Sequence, residues 1–247
     1  SAGGTFEPDT GRYAPPANFV GEDTITYTIC QVANPAQCTT STTTVHIAPQ
    51  PGTDSRTTDM NTPTTGQVPQ PGSPAAPGLP VGNGYVYGAP APGTLHGGTV
   101  TMLPNGSYDY VPPAGFIGDD TFTYQVCLVD MPSVCGVNTV VVTVNPPVRD
   151  HLVAVPSAQS GVAGGLWDPV QDGAAPPGLE WGVMDPQDPS AGAIPSGPTA
   201  NSGTVTVDPS TGTFQYTPPP GFTGFDEFEY QVCLVDGTDR WCNTGKV

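Results

Sequence analysis

The sequence predicts an all-β chain of tandem antiparallel sandwich modules, each of about 100 residues, joined by Pro/Gly-rich segments. Three observations carry this. One pattern occurs three times, as GTFEPDTGRYAPPANFVGEDTITYTIC (residues 4–30), GTVTMLPNGSYDYVPPAGFIGDDTFTYQVC (98–127) and GTVTVDPSTGTFQYTPPPGFTGFDEFEYQVC (203–233). The cysteines that close these blocks are 97 and then 106 residues apart, a domain period and not a short solenoid period. Within each copy apolar residues recur at every second position, and no stretch keeps a helical period.

Each copy reads in the same order. Val100 to Leu103 is a strand, Asn105-Gly106 a hairpin turn, and Tyr108-Asp109-Tyr110 the returning strand. The other copies turn at Asp9-Thr10-Gly11 and at Asp208 to Gly212. Prolines follow, at Pro15-Pro16, Pro112-Pro113 and Pro218-Pro219-Pro220. Proline has no ladder donor, so the chain leaves one sheet there for the other. Phe19, Phe116 and Phe222 are expected to plug the core at that crossing. The next strand puts Phe122, Tyr124, Val126 and Leu128 on one face, and Thr121, Thr123, Gln125 and Cys127 on the other. The last strand sets Val140, Val142 and Val144 against Thr139, Val141 and Thr143. Tyr85-Val86-Tyr87 reads as an early strand, and Thr39 to Thr44 as an exposed, weakly packed one.

The repeats divide the chain at 1–49, the C-terminal part of a first repeat, 50–147, a complete repeat, and 148–247, a third repeat expected to lack its last strand. Two arrangements fit: a window of a longer polymer, which is favoured, or subunits that complete one another by strand exchange. The first residues, SAGGTFEPDTG, have neither the basic start nor the apolar core of a signal peptide.

Lys and Arg total 5 against 22 Asp and Glu, a net charge of −17. Nucleic acid and anionic membranes need clustered cations, so both are excluded as partners. No apolar run is long enough to span a membrane. With one lysine, Lys246, any covalent staple falls to the cysteines.

All six cysteines follow one plan, an aromatic strand ending in Cys and a second Cys eight or nine residues on. Cys127 and Cys135 lie on adjacent antiparallel strands, where a cross-strand pair is within disulfide reach. Repetition selects Cys30–Cys38, Cys127–Cys135 and Cys233–Cys242. Each short loop contributes about 2–3 kcal/mol through loop entropy. Zinc and redox readings lack a CxxC, and His46, His96 and His151 occupy no repeated position. Disulfides imply an oxidising, extracellular setting.

Acids recur in place. Glu22-Asp23, Asp119-Asp120 and Asp226-Glu227 precede the tyrosine strand, and Asp130 and Asp236 follow the cysteine. Such clusters offer calcium its oxygens, so these eight are the candidate calcium ligands, with solvated turn acids as the plainer reading. Trp167, Trp181, Tyr85 and Tyr87 are candidate binding aromatics because they lie outside the repeated blocks. No nucleophile elbow, zinc-protease or phosphate-loop motif occurs, so no catalytic residue is assigned.

The stretch from Gly98 to Val144 resembles the Ig-like tandem repeats, fibril-type and cadherin-like, of very large bacterial cell-surface adhesins. Gly106, Tyr108, Pro112-Pro113, Gly115-Phe116, Gly118, Asp120, Tyr124 and Cys127 coincide with their pattern in order. The acidic early segment that such repeats often carry is replaced here by Pro, Ala and Gly. The resemblance implies Ig-like sandwiches in series. It implies a structural region of an extracellular surface fibre or adhesin stalk, including a self-assembling filament subunit. A carbohydrate- or protein-binding adhesive module is the alternative. The partners implied are neighbouring repeats or identical subunits, with a surface glycan or protein in the alternative; no cofactor but calcium is implied.

Overall fold

A strand apolar on one face needs a second sheet to cover it, and the middle repeat supplies two. The computed structural model describes residues 3–89, 93–155, 161–184 and 193–247, and no helix occurs among them. The first repeat contributes β1 (Thr5–Glu7), β2 (Arg12–Ala14), β3 (Gly21–Cys30) and β4 (Cys38–Ile47). The middle repeat holds β5 (Asp54–Asp59), β6 (Thr64–Gln67), β7 (Tyr85–Gly88), β8 (Thr99–Met102), β9 (Ser107–Val111), β10 (Gly118–Leu128) and β11 (Cys135–Asn145). The third holds β12 (Val162–Gly165), β13 (Leu179–Met184), β14 (Ala193–Ile194), β15 (Ser196–Pro198), β16 (Thr204–Val207), β17 (Thr213–Thr217), β18 (Glu229–Asp236) and β19 (Asp239–Lys246).

In the middle repeat, sheet β5-β11-β10-β7 faces sheet β6-β9-β8. Only β5–β11 is parallel; the other pairs are antiparallel. Val140, Val142 and Val144 are fully buried, as are Tyr124 and Val126, opposite Val100, Tyr108 and Tyr110. Tyr108 meets Phe122 edge-on at 5.1 Å, and its hydroxyl donates to Asp54 at 2.8 Å, tying the two sheets. The third repeat repeats this with β12-β17-β16-β15 and β14-β13-β18-β19, and Phe214 meets Phe228 at 5.4 Å. Most buried apolar residues of the middle and third repeats form one continuous cluster, while Leu128 and Val134 cluster with Val20 of the first. The first repeat has two hairpins, β1–β2 and β3–β4, and buries one large apolar residue, Val20.

Turn chemistry repeats with the strands. Gly11, Gly106 and Gly212 take positive φ at the β1–β2, β8–β9 and β16–β17 turns, a conformation with little steric cost only for glycine. At the proline crossing, Phe19, Phe116 and Phe222 each donate a backbone hydrogen bond to the proline three residues earlier. Their side chains are half-buried, which corrects the core-plug expectation. The turn rotates each ring to the rim, and the next residue, Val20 or Ile117, goes inward instead. Two further expectations change. Cys127 and Cys233 are buried although they share the polar side of their strands. Each sits between two neighbours in its sheet, Cys135 and Val86 or Cys242 and Glu180, whereas exposed Cys30 has only Cys38. The third repeat holds only the hairpin part of its last strand: Gly237 turns the chain so tightly that β19 starts at Asp239, and it pairs with β18 through Lys246.

Candidate functional site

The features that repeat are the disulfide hairpins, an acid behind each one, and the joints between repeats. The six cysteines form Cys30–Cys38, Cys127–Cys135 and Cys233–Cys242, each directly opposed in strand register. The first two hairpins close with the same loop: Gln31 N bonds Gln37 O and Leu128 N bonds Val134 O. The third continues its ladder past the disulfide to Asp236 and Asp239.

The acid pairs split across their strand. The inward members are Asp23, Asp120 and Asp226. Asp120 is fully buried and accepts from the hydroxyls of Thr94 and Tyr110 and from the amides of His96 and Thr121. Asp226 accepts from Thr199, Tyr216, Asn201 N and Glu227 N, the same set in the third repeat. Asp23 takes Tyr13 at 2.6 Å and Thr24 N at 2.8 Å. Burial pushes the Asp120 and Asp226 carboxyls up, but the hydrogen bonds outweigh it and hold both below the ordinary range. The tyrosines move the other way. The bond to Asp23 lifts Tyr13 to about 12, and burial, then Asp226, lifts Tyr216 to about 12.

The outward members do separate work. Glu22 pairs with His46 at 3.3 Å, Asp119 accepts from Thr143 at 2.7 Å, and Glu227 pairs with Lys246 at 3.0 Å. Asp130 and Asp236 are exposed at hairpin ends. No group of three or more His, Cys, Asp or Glu side chains able to hold a metal occurs among the described residues. The pairs expected to gather round calcium point to opposite faces, because adjacent residues in a strand must.

The joints were not legible as a site in the sequence. Tyr124, the tyrosine of the YQVC motif, donates to the carbonyl of Gly52 in the segment that enters its repeat. Tyr230 donates to Arg149 O at 2.9 Å in the corresponding place. Asn138 holds Pro51 O at 2.6 Å, and Asn243 holds Pro146 O at 3.1 Å. The clamped hairpin then seats on the preceding repeat. At the first joint Val20 packs with Leu128, Val134 and Met131 of the β10–β11 hairpin. At the second, Trp241 of β19 donates to Asp119 at 3.3 Å, and Asn243 to Asp59 at 2.9 Å. Recurrence of Tyr three residues before Cys was the available signal; its partner carbonyl, about 70 or 80 residues away in sequence, was not.

The candidate binding aromatics are used internally. Trp181 and Tyr87 are buried, Tyr85 and Trp167 half-buried, and the two tryptophans meet edge-on at 6.4 Å. Tyr85 donates to Pro80 O and Trp167 to Gly173 O. The four form no shared patch: the tyrosines belong to β7 of the middle repeat and the tryptophans to the third.

No curated protein matches the chain. Among solved structures it is similar to the protocadherin gamma B4 extracellular domain, at 13% identity over 92% of this chain and 38% of that one, TM-score 0.27. The human desmocollin-1 ectodomain is 12% identical over 88% and 46%, TM-score 0.31. Mouse protocadherin-24 EC1-3 is 11% identical over 99% and 86%, TM-score 0.27. The chain thus spans less than half of the first two. The sequence profile described as bacterial Ig domain matches residues 46–145 and 179–247, the middle repeat and most of the third. With two matched regions, strands in two facing sheets and the shared repeat pattern, the chain belongs to the bacterial Ig domain family.

Proposed function

We propose that this chain is a structural segment of an extracellular bacterial surface fibre or stalk, in which the repeats at 1–49, 50–147 and 148–247 act in series as spacers. The observation that carries the reading is the recurrent joint. At both junctions a strand tyrosine bonds the entering linker, and a disulfide hairpin packs on the repeat before it. Linkers held this way transmit orientation, whereas a free Gly/Pro tether would not. The partners in this reading are adjoining repeats. The net charge of −17 discourages lateral clumping of neighbouring rods. Disulfides fit the oxidising exterior.

Small-angle scattering tests it. The expected result is an elongated particle whose cross-section matches one sandwich and whose length is unchanged by salt. Trp241→Ala with Asn243→Ala should loosen the second joint and broaden the distance distribution while both repeats stay folded. A compact particle, or a double variant indistinguishable from the parent, would contradict the reading.

A further inference from the structure

The hairpins β3–β4 and β10–β11 close with one loop and differ in what that loop presents. In the middle repeat Leu128 N bonds Val134 O at 3.2 Å, Met131 N bonds Leu128 O at 3.2 Å, and Val134 N bonds Met131 O at 2.9 Å. In the first repeat Gln31, Asn34 and Gln37 make the same three bonds at the same three positions. Those three side chains are exposed carboxamides. The apolar set is the one that seats on a preceding repeat. Leu128 and Val134 are buried with Val20, and Met131 packs half-buried against them. Met131 Cε lies 3.4 Å from where a Cβ on Gly21 would stand, so the thioether end reaches the backbone of the first repeat. The other three methionines lie away from this seat. Met60 is buried in the core, and Met102 and Met184 are half-buried on β8 and β13. The second joint is made instead by Trp241 and Asn243, which hold no sulfur.

We infer that Met131 is an oxidation site whose modification releases the first joint. The reagent is hydrogen peroxide. The sulfur lone pair takes one peroxide oxygen, the O–O bond breaks, and the other oxygen leaves as water. Sulfur is thereby oxidised by two electrons and the peroxide reduced by two. All six cysteines are paired, so no thiol of the chain competes for the oxidant. Sulfoxide formation turns a flexible apolar side chain into a polar one. In the seat it faces Val20, Leu128 and Val134, which have no side-chain donor, and Tyr85, whose hydroxyl already donates to Pro80 O. The new oxygen therefore gives up water without a partner when the hairpin seats, and the seated state is disfavoured. The loop itself accepts a polar residue at this position, because Asn34 holds the same bonds in the same loop. Oxidation thus unseats the hairpin and leaves it folded, with Cys127–Cys135 keeping it closed. The inference rests on the reading of the repeats as seated in series.

Hydrogen peroxide titrated into the full 247-residue chain tests it, with sulfoxides located by peptide mass mapping and the Val20–Leu128 methyl contact followed by NMR. Met131 should oxidise before Met60, and the contact should vanish while the Leu128 and Val134 amides stay protected from exchange. Met131→Asn, which copies Asn34, should lose the contact without peroxide. Met131→Leu should keep it in peroxide. The inference is overturned if Met131 stays reduced once Met102 or Met184 has reacted, or if the contact survives oxidation or the Asn substitution. It is also overturned if the Leu variant loses the contact in peroxide, or if the hairpin amides open together with it. A chain that shows no contact before peroxide would overturn the seated joint itself, a different failure from a seat that forms and ignores the oxidant.

Discussion

At the scale of single residues, the acid behind each hairpin bears most of the argument. Asp120 has its acceptors occupied by four donors and no contact with water, so Asp120→Asn places an amide NH₂ against groups that also donate. Urea unfolding should show a loss of about 2–3 kcal/mol. Asp119→Asn, one residue away on the exposed face, should cost under about 0.5 kcal/mol. Acid and alkali act on the same network with opposite signs. The folded carboxyls of Asp120 and Asp226 lie below their ordinary range. Their contribution is therefore complete above the unfolded pKa of about 3.9 and is lost as pH falls through the lower folded values. Tyr13 and Tyr216 are raised to about 12. Their contribution is complete below the unfolded value of about 10 and lost as pH rises through about 12. Melting temperature should plateau between these limits and fall on both sides; a rise on acidifying below about pH 4 would contradict the assignment.

At the scale of elements, the hairpins differ in access although their disulfides match in register. Cys30 and Cys38 are both exposed, whereas Cys127 and Cys233 are buried between strands. A reductant titration followed by alkylation and mass mapping should therefore open Cys30–Cys38 first. Simultaneous opening of all three would show that access is not what protects them. Replacing Cys127 and Cys135 together by serine should cost about 2–3 kcal/mol in the middle repeat. The alternation of Phe122, Tyr124 and Val126 and of Val140, Val142 and Val144 was legible because a strand's two faces are encoded in its own sequence. The Phe19, Phe116 and Phe222 positions were not. Whether a ring after Pro-Pro goes in or stays at the rim depends on the turn, where Asn18, Gly115 and Gly221 take positive φ. Cysteine burial was also hidden, since it depends on which strand lies alongside.

At the scale of the molecule, the order of repeats could be read from three matching strings, but the joints could not. Tyr124 and Gly52 are 72 residues apart, and nothing local links them. The same holds for calcium. Adjacent carboxylates look like a cluster in a string, yet a strand sends them to opposite sides. Chelation by EDTA and millimolar calcium should accordingly leave the melting temperature within about 1 °C of each other; a calcium-dependent rise of several degrees would require another set of ligands.

The bond from Tyr124 to Gly52, with its partner from Tyr230 to Arg149, has a consequence for how such chains grow. A sandwich copied without the residues just ahead of it would arrive with a buried hydroxyl and no acceptor. The unit that duplicates intact in a gene is therefore the linker together with the sandwich that follows it.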